Sequence, residues 1–293
     1  MSFLSLLTWL ATELPVQAGR QETTGPAPAA VVRDLAADES DVLDRAEQFL
    51  IRDCMRRHGF AYTIVSHTQR AEDRDFPYVI DNVGWAGRHG YGTDLLRERE
   101  AAIRAEPNTV RLNGMTPSAR AAALAALNGV SDPHTDLSAV LPSGITTRRS
   151  SISCTSEAQR ALYADLPTWY RVSRVTENLA PERIGLVLAD ARYQRAVAGW
   201  SRCLAHAGHA YDSPGEARDA VLSADPPMPR PKETALAVAE ATCAGRTGLA
   251  ATVRELDRQH AEEINQRYAA DLADRRRLRH DALPRANAVI LAG

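Results

Sequence analysis

The chain has 293 residues, of which 44% are hydrophobic and only 5% are aromatic, and its formal net charge is −2. Charged residues of both signs make up 25% of the chain and are interspersed, so the sequence lacks the basic face or stripe that nucleic-acid binding needs. We therefore expect no nucleic-acid partner. Alanine and leucine dominate the apolar residues, which favours helices over strands, and the sequence predicts an all-α fold.

Residues 1–33 are predicted to be a leader or a disordered spacer that precedes the folded part. Residues 3–11 form an apolar run of the length of a signal-peptide core, and Val16-Gln-Ala18 could end it. The run is too short to span a membrane. No Lys or Arg precedes it, so a misassigned start and an ordinary amphipathic helix remain alternatives to a signal peptide.

A short motif occurs twice, at residues 54–62 and 203–211, about half the chain apart. Both copies read Cys, Met or Leu, three variable residues, Gly, one variable residue, Ala and Tyr. Apolar residues at helical spacing precede each copy, so the cysteine is predicted to lie near the end of a helix that the glycine terminates with a positive φ. The tyrosine is predicted to anchor the departing chain. The glycines and tyrosines of the motif are Gly59, Tyr62, Gly208 and Tyr211.

The repeat predicts two related helical halves, residues 34–170 and 171–293. Between the copies, residues 70–92 are rich in Asp, Gly, Asn and aromatic residues without a sustained period. We expect an ordered loop there, with one short strand at Tyr78–Ile80. Residues 131–153 are also predicted to be a loop.

The second half is predicted to end in a long amphipathic helix, from Glu233 to about Ala282. Its apolar residues recur at a mean step of about 3.8 positions, more than the 3.5 that a left-handed coiled coil needs. This spacing favours packing within the same chain over a dimeric rod. Self-association through this helix stays open as an alternative.

The four cysteines, Cys54, Cys154, Cys203 and Cys243, divide equally between the halves. An even number in this arrangement predicts one disulfide per half, Cys54 with Cys154 and Cys203 with Cys243. Metal ligands, a catalytic nucleophile and inert core residues are the alternatives. On the chain-entropy model, closing the loop between Cys203 and Cys243 would contribute roughly 3 to 4 kcal/mol, a sizeable part of an ordinary domain's stability.

Three other groups could carry chemistry. Cys203, His206, His209 and Cys243 form an acceptable tetrahedral zinc set, but the first copy of the motif has no histidines at the equivalent positions. His58 follows Cys54 on the same helix face and could activate its thiol. The segment Asp132–Asp136 could act as an acid–base group, although its composition is typical of a turn. We assign no catalytic residue, no metal and no cofactor from the sequence.

Several short segments together resemble a group of exported proteins of high-GC actinobacteria. The resembling residues are Met115-Thr-Pro117, Ala126-Leu-Asn-Gly129, Cys154-x-x-Glu-Ala158, Leu162-Tyr163, Trp200-x-x-Cys-Leu204, Gly208, Tyr211, Ser213-Pro214 and Ala241-Thr-Cys243. Their order carries the resemblance, which covers residues 47–282 and implies export and disulfide bonds. We expect an extracytoplasmic, secreted or envelope-associated, non-catalytic binding or accessory protein, with a cell-envelope protein as a candidate partner. The alternatives are an enzyme that uses a His/Asp site and a helical oligomerisation scaffold.

Overall fold

The computed structural model describes residues 32–65 and 74–293. These residues form helices and one two-stranded antiparallel sheet, so the predicted all-α class is confirmed. Most of the predicted leader or spacer, residues 1–31, lies outside the described residues. The elements are α1 (Ala37–Arg57), α2 (Val83–His89), α3 (Thr93–Ala105), α4 (Pro107–Asn113), α5 (Pro117–Asn128), β1 (Leu137–Val140), β2 (Thr146–Arg149), α6 (Cys154–Tyr163), α7 (Leu166–Glu177), α8 (Leu179–Ala189), α9 (Ala191–His206), α10 (Pro214–Leu222), α11 (Arg230–Arg246), α12 (Leu249–Arg267) and α13 (Ala269–Ala292).

Both copies of the motif end a helix, α1 and α9, as predicted. Gly59 has a φ of 82° and Gly208 a φ of 88°, a left-handed conformation that glycine adopts without steric cost. The residue after each glycine donates its N–H to a carbonyl five positions earlier, at 2.9 Å in the first copy and 3.1 Å in the second. This is the Schellman arrangement, which satisfies carbonyls that the helix end leaves unpaired.

Side-chain caps set the start of three helices. Thr116, Ser153 and Ser213 each accept a hydrogen bond from the backbone N–H three residues further on. Such a cap satisfies one of the four N–H groups that the first turn leaves free and is worth about 1 kcal/mol. These caps begin α5, α6 and α10.

The core joins elements from the two predicted halves. α1 packs against α13 and α6, and Leu43 and Ala46 of α1 lie in one cluster with Leu278 of α13. α2 packs on α11, where Trp85 shares a cluster with Leu236. Residues 32–293 form one compact unit, and the expected division at residue 170 does not coincide with a gap in the packing.

The segment predicted as one long C-terminal helix consists of α11, α12 and α13. Gly248, with a φ of 80°, ends the helical path between α11 and α12. Leu256 and Ile264 of α12 are buried inside the chain, so the apolar stripe is used for internal packing. No helix among the described residues is both long and apolar enough to cross a membrane.

Two regions that the sequence predicts as loops contain helix or strand. In the first region the strand expected at Tyr78–Ile80 is absent; these residues form a buried irregular segment, and the helix α2 follows it. Residues 131–153 contain the β1–β2 hairpin, in which Leu137 pairs with Arg149. Leu137 and Ala139 face inward, so burial on the core, and not strand propensity alone, fixes the hairpin.

Candidate functional site

The four cysteines form the two predicted disulfides. Cys54 links the end of α1 to Cys154, the first residue of α6, with a Cα–Cα distance of 5.5 Å. Cys203 links the end of α9 to Cys243 of α11, with a Cα–Cα distance of 5.7 Å. The two disulfides indicate an oxidising, extracytoplasmic environment. In this oxidised state none of the four sulfur atoms is a free nucleophile or a thiolate metal ligand.

The two motif tyrosines help to fix the chain after each helix, but they do so in different ways. The hydroxyl of Tyr62 donates to Gln48 Oε1 at 2.8 Å, and burial raises the pKa of this tyrosine. The backbone carbonyl of Tyr211 accepts a hydrogen bond from Ser201 Oγ at 2.8 Å. Both contacts are within the fold and do not form a ligand site.

The segment Asp132–Asp136 is a turn in which both carboxylates hold backbone groups. Asp132 Oδ1 accepts from the N–H of His134 at 3.0 Å, and Asp136 Oδ1 accepts from the N–H of Asp132 at 3.1 Å. Hydrogen bonds from the Ser131 hydroxyl and the Asp132 N–H lower the pKa of Asp136. The carboxylates therefore stabilise the turn, as the composition predicts.

The histidines of the second motif copy are not gathered into a metal site. His206 is exposed, and His209 lies beside Tyr211 at a shallow apolar surface. Neither imidazole makes a hydrogen bond or an ion pair among the described residues. The two cysteines of the sequence-based zinc hypothesis are bonded to each other, so the zinc set that the sequence offers is not formed.

A cleft with a volume of about 600 Å³ lies where α2, α3 and α10 meet the irregular 74–82 segment. Its aromatic floor consists of Phe76, Trp85 and Tyr91. The rings of Phe76 and Trp85 are tilted, with centroids 4.8 Å apart, an arrangement that aromatic pairs favour. The remaining lining residues are Arg74, Asp75, Ile80, Gly92, Leu95, Leu96, Arg99 and Arg218.

A buried carboxylate lies behind this floor. Glu240, on α11, is fully buried; it accepts hydrogen bonds from the hydroxyl of Tyr91 and, at 2.8 Å, from the N–H of Ile80. Desolvation raises the pKa of Glu240 to about 7, against the opposing effects of these hydrogen bonds and of nearby Arg218. The carboxyl group thereby fixes two residues of the cleft lining to α11.

A second buried carboxylate fixes the turn between α2 and α3. Glu233, also on α11, accepts from the N–H of Tyr91 at 2.9 Å and from Thr93 Oγ1 at 2.8 Å. Arg230 supplies a neighbouring guanidinium at 3.2 Å. The carboxylate is 2% exposed, and such a group is tolerated in the interior when it is hydrogen-bonded and paired. The cleft is thus built on a rigid hydrogen-bonded support.

Basic side chains outnumber acidic ones among the described residues that line the cleft. These residues include the guanidinium groups of Arg74, Arg99 and Arg218 and the carboxylate of Asp75. Arg218 also donates to the backbone carbonyl of Phe76, which places its guanidinium at the edge of the aromatic floor. Guanidinium groups bind carboxylates and phosphates through paired hydrogen bonds, and aromatic faces bind flat apolar groups.

This cleft was not predicted from the sequence. Its residues come from segments that lie far apart in the chain, and the 70–92 region was predicted only as a loop. One signal was present: Glu233 and Glu240 lie seven residues apart, two helical turns, on the same face as the apolar Leu236 and Ala237. A carboxylate on an apolar helix face indicates a buried polar partner, although its identity depends on the fold.

Comparison with known protein families, with characterised proteins and with solved structures finds no match to this chain. The residues of the cleft, and the state of the cysteines, are therefore the basis for assigning a function.

Proposed function

We propose that the protein is an extracytoplasmic, envelope-associated binding or accessory protein whose cleft takes a small anionic ligand with a flat apolar part. One observation carries the proposal: among the described lining residues, three guanidinium groups and one carboxylate accompany a floor of three aromatic rings. The aromatic rings would contribute apolar contact area, and the arginines would select for negative charge. The ligand is thus described by its chemistry, an aromatic or similarly flat anion.

The composition of the cleft supports binding over catalysis. Asp75 is the one acid among the described lining residues, and these residues include no Ser, Cys or His that could act as a nucleophile or a base. The hydroxyl of Tyr91 is directed away from the cleft, toward Glu240. Each polar group of the floor thus has a structural partner, which suits a preformed site that holds a ligand unchanged.

The extracytoplasmic location rests on two independent arguments. Disulfides persist in oxidising compartments and are rare in reducing ones, and both predicted disulfides form. The sequence resemblance to exported actinobacterial proteins supports the same location. Attachment to the envelope is part of the proposal and is tested by fractionation of cells that produce the full chain.

Fluorescent probes test the cleft directly. The anion 1-anilinonaphthalene-8-sulfonate has the proposed flat apolar part and a negative charge, whereas N-phenyl-1-naphthylamine lacks the charge. We expect saturable binding of the anion at one site per chain and clearly weaker binding of the neutral probe. Arg99→Gln should weaken binding of the anion by about three- to fivefold, as expected for one exposed charge pair.

Arg104→Gln is the matched control, because Arg104 lies on the same helix but does not line the cleft. This variant should bind the anion as the wild type does. Trp85→Leu should weaken binding of both probes, since it removes a ring of the aromatic floor that both probes would contact. Non-saturable binding, equal affinity for the two probes, or equal effects of the two arginine substitutions would contradict the proposed ligand class.

A further inference from the structure

The first disulfide has a histidine beside it that the second disulfide lacks. The ligand atoms of Cys54, His58 and Cys154 all lie within 4.8 Å of one another, and this is the group of potential metal ligands that the described part of the chain brings together. The two sulfur atoms are buried, whereas His58 is exposed. The imidazole therefore connects the buried sulfur pair with solvent.

Local structure explains why these three groups meet. Cys54 and His58 lie four residues apart near the end of α1, so they share one face of the helix. Cys154 is the first residue of α6, and its side chain meets Cys54 where the end of α1 lies against the start of α6. α1 packs along α6, which holds the histidine next to the sulfur atoms.

A surface groove gives access to this group from solvent. The groove has a volume of about 860 Å³, and both Cys54 and His58 line it. Its other walls include the apolar Phe60, Val130 and Ile152. A small reductant could therefore approach Cys54 from this groove without unfolding of the chain.

We propose that Cys54, Cys154 and His58 form a redox-dependent site for a divalent metal ion of the zinc type. A dithiol reductant would transfer two electrons and two protons to the disulfide, which yields two thiols and the disulfide of the reductant. The metal ion would then bind both sulfur atoms as thiolates, with release of two protons, and a neutral imidazole nitrogen of His58. The disulfide and the metal site exclude each other, since they use the same two sulfur atoms.

The donor set and its spacing fit such an ion. Two thiolates and one imidazole are ligands that zinc prefers, and three protein ligands leave the fourth tetrahedral position to water. Bond lengths of about 2.3 Å to sulfur and 2.0 Å to nitrogen place tetrahedral ligands about 3.5 to 4 Å apart. The three side chains already lie within 4.8 Å, so separation of the sulfur atoms and small rotations would complete the site.

The test uses cobalt(II) as the probe and the full chain reduced anaerobically with tris(2-carboxyethyl)phosphine. We expect one equivalent of cobalt to bind with a thiolate-to-cobalt charge-transfer band, and zinc to displace it. The oxidised chain should show no such band. His58→Gln retains both cysteines and should bind cobalt at least about tenfold more weakly, given that even outer-shell partners of metal ligands contribute 10- to 100-fold.

His206→Gln is the matched control, because His206 is an exposed histidine three residues after Cys203 that lies outside the group, and the substitution should leave cobalt binding unchanged. Cys54→Ser/Cys154→Ser should lose the band, while Cys203→Ser/Cys243→Ser should keep it. Circular dichroism follows the fold of each reduced sample. Equal affinity of wild type and H58Q, a band that survives removal of Cys54 and Cys154, or a reduced chain that takes up no cobalt, folded or unfolded, would overturn the proposal.

Discussion

The hydroxyl of Tyr91 donates a hydrogen bond to the buried carboxylate of Glu240, across a sequence separation of 149 residues. This bond joins the α2–α3 turn, in the predicted first half, to the middle of α11, in the predicted second half. Because the ring of Tyr91 also forms part of the cleft floor, the same contact links the common core to the proposed ligand site. Glu240 therefore connects the packing of the core to the lining of the proposed ligand site.

Glu240 should make stability depend on pH in an unusual direction. Its pKa rises from an ordinary value of 4.5 to about 7 in the folded chain, so the folded state holds the proton more tightly than the unfolded state. The free energy of unfolding should therefore fall as pH rises from about 4.5 to about 7, by on the order of 3 kcal/mol, and then level off. Tyr91, Tyr193 and Arg218 are the ionisable groups that influence this carboxyl group.

Glu240→Gln tests this linkage. Its side-chain amide can replace the protonated carboxyl group toward Tyr91 and Ile80, so the variant should lose the decline between about pH 4.5 and pH 7 in urea unfolding. Glu255→Gln is the control: Glu255 is exposed, and hydrogen bonds from Arg258 and Gln259 lower its pKa. If the free energy of unfolding depends on pH in the same way in the wild type and in E240Q, the proton on Glu240 does not contribute to that dependence.

Substitution of two glycines should separate backbone strain from steric clash. Gly208 has a left-handed φ, but a Cβ there would meet no atom within 4 Å, so Gly208→Ala should cost about 1 kcal/mol. Gly90 also has a positive φ, and a Cβ there would lie 2.5 Å from Glu233 Oε1. Gly90→Ala should therefore cost more, about 3 kcal/mol, because it displaces a buried carboxylate as well. Chemical denaturation measures the loss of stability in both variants. Equal losses would show that the clash with Glu233 adds nothing to the backbone strain.

Removal of either disulfide should lower stability by comparable amounts. The chain-entropy model gives about 4 kcal/mol for the Cys203–Cys243 bond and about 5 kcal/mol for the Cys54–Cys154 bond, since these enclose sequence separations of 40 and 100 residues. Paired Cys→Ser variants, compared by thermal and urea unfolding, provide the measurement. A variant as stable as the wild type would show that the missing disulfide does not reduce the entropy of the unfolded chain by the calculated amount.

The predicted second half should not fold cooperatively by itself. In the intact chain α2 covers part of α11, and Glu233 and Glu240 of α11 bind backbone groups of residues 80–93. A fragment of residues 171–293 would expose this apolar face and leave both carboxylates without those partners. We expect a broad, non-cooperative thermal transition for the fragment and a single sharp one for residues 32–293. A sharp transition of the oxidised fragment would support two independent halves.

Local signals in the sequence determined the helical class, several helix ends and the disulfide pairing. Gly59 and Gly208 mark helix ends because their conformation is set by the glycine itself and its nearest neighbours. Ser153 and Ser213 begin helices because their caps span only three residues. The cysteine pairs followed from their number and their distribution along the chain. Each of these features depends on short-range geometry or on simple counting.

Only the tertiary structure decided the common core and the cleft. Burial of Tyr78–Ile80 and the contact of Tyr91 with Glu240 depend on which helices lie side by side. A local pattern cannot specify that choice, because the apolar face of α11 could be covered by many segments of similar composition. The sequence offered His206 and His209 only as an alternative zinc set, which the motif repeat disfavoured. Helical spacing places His58 beside Cys54, and the packing of α1 on α6 brings Cys154 to them. Spacing within one helix describes neighbours along the chain, and a site is formed by neighbours in space.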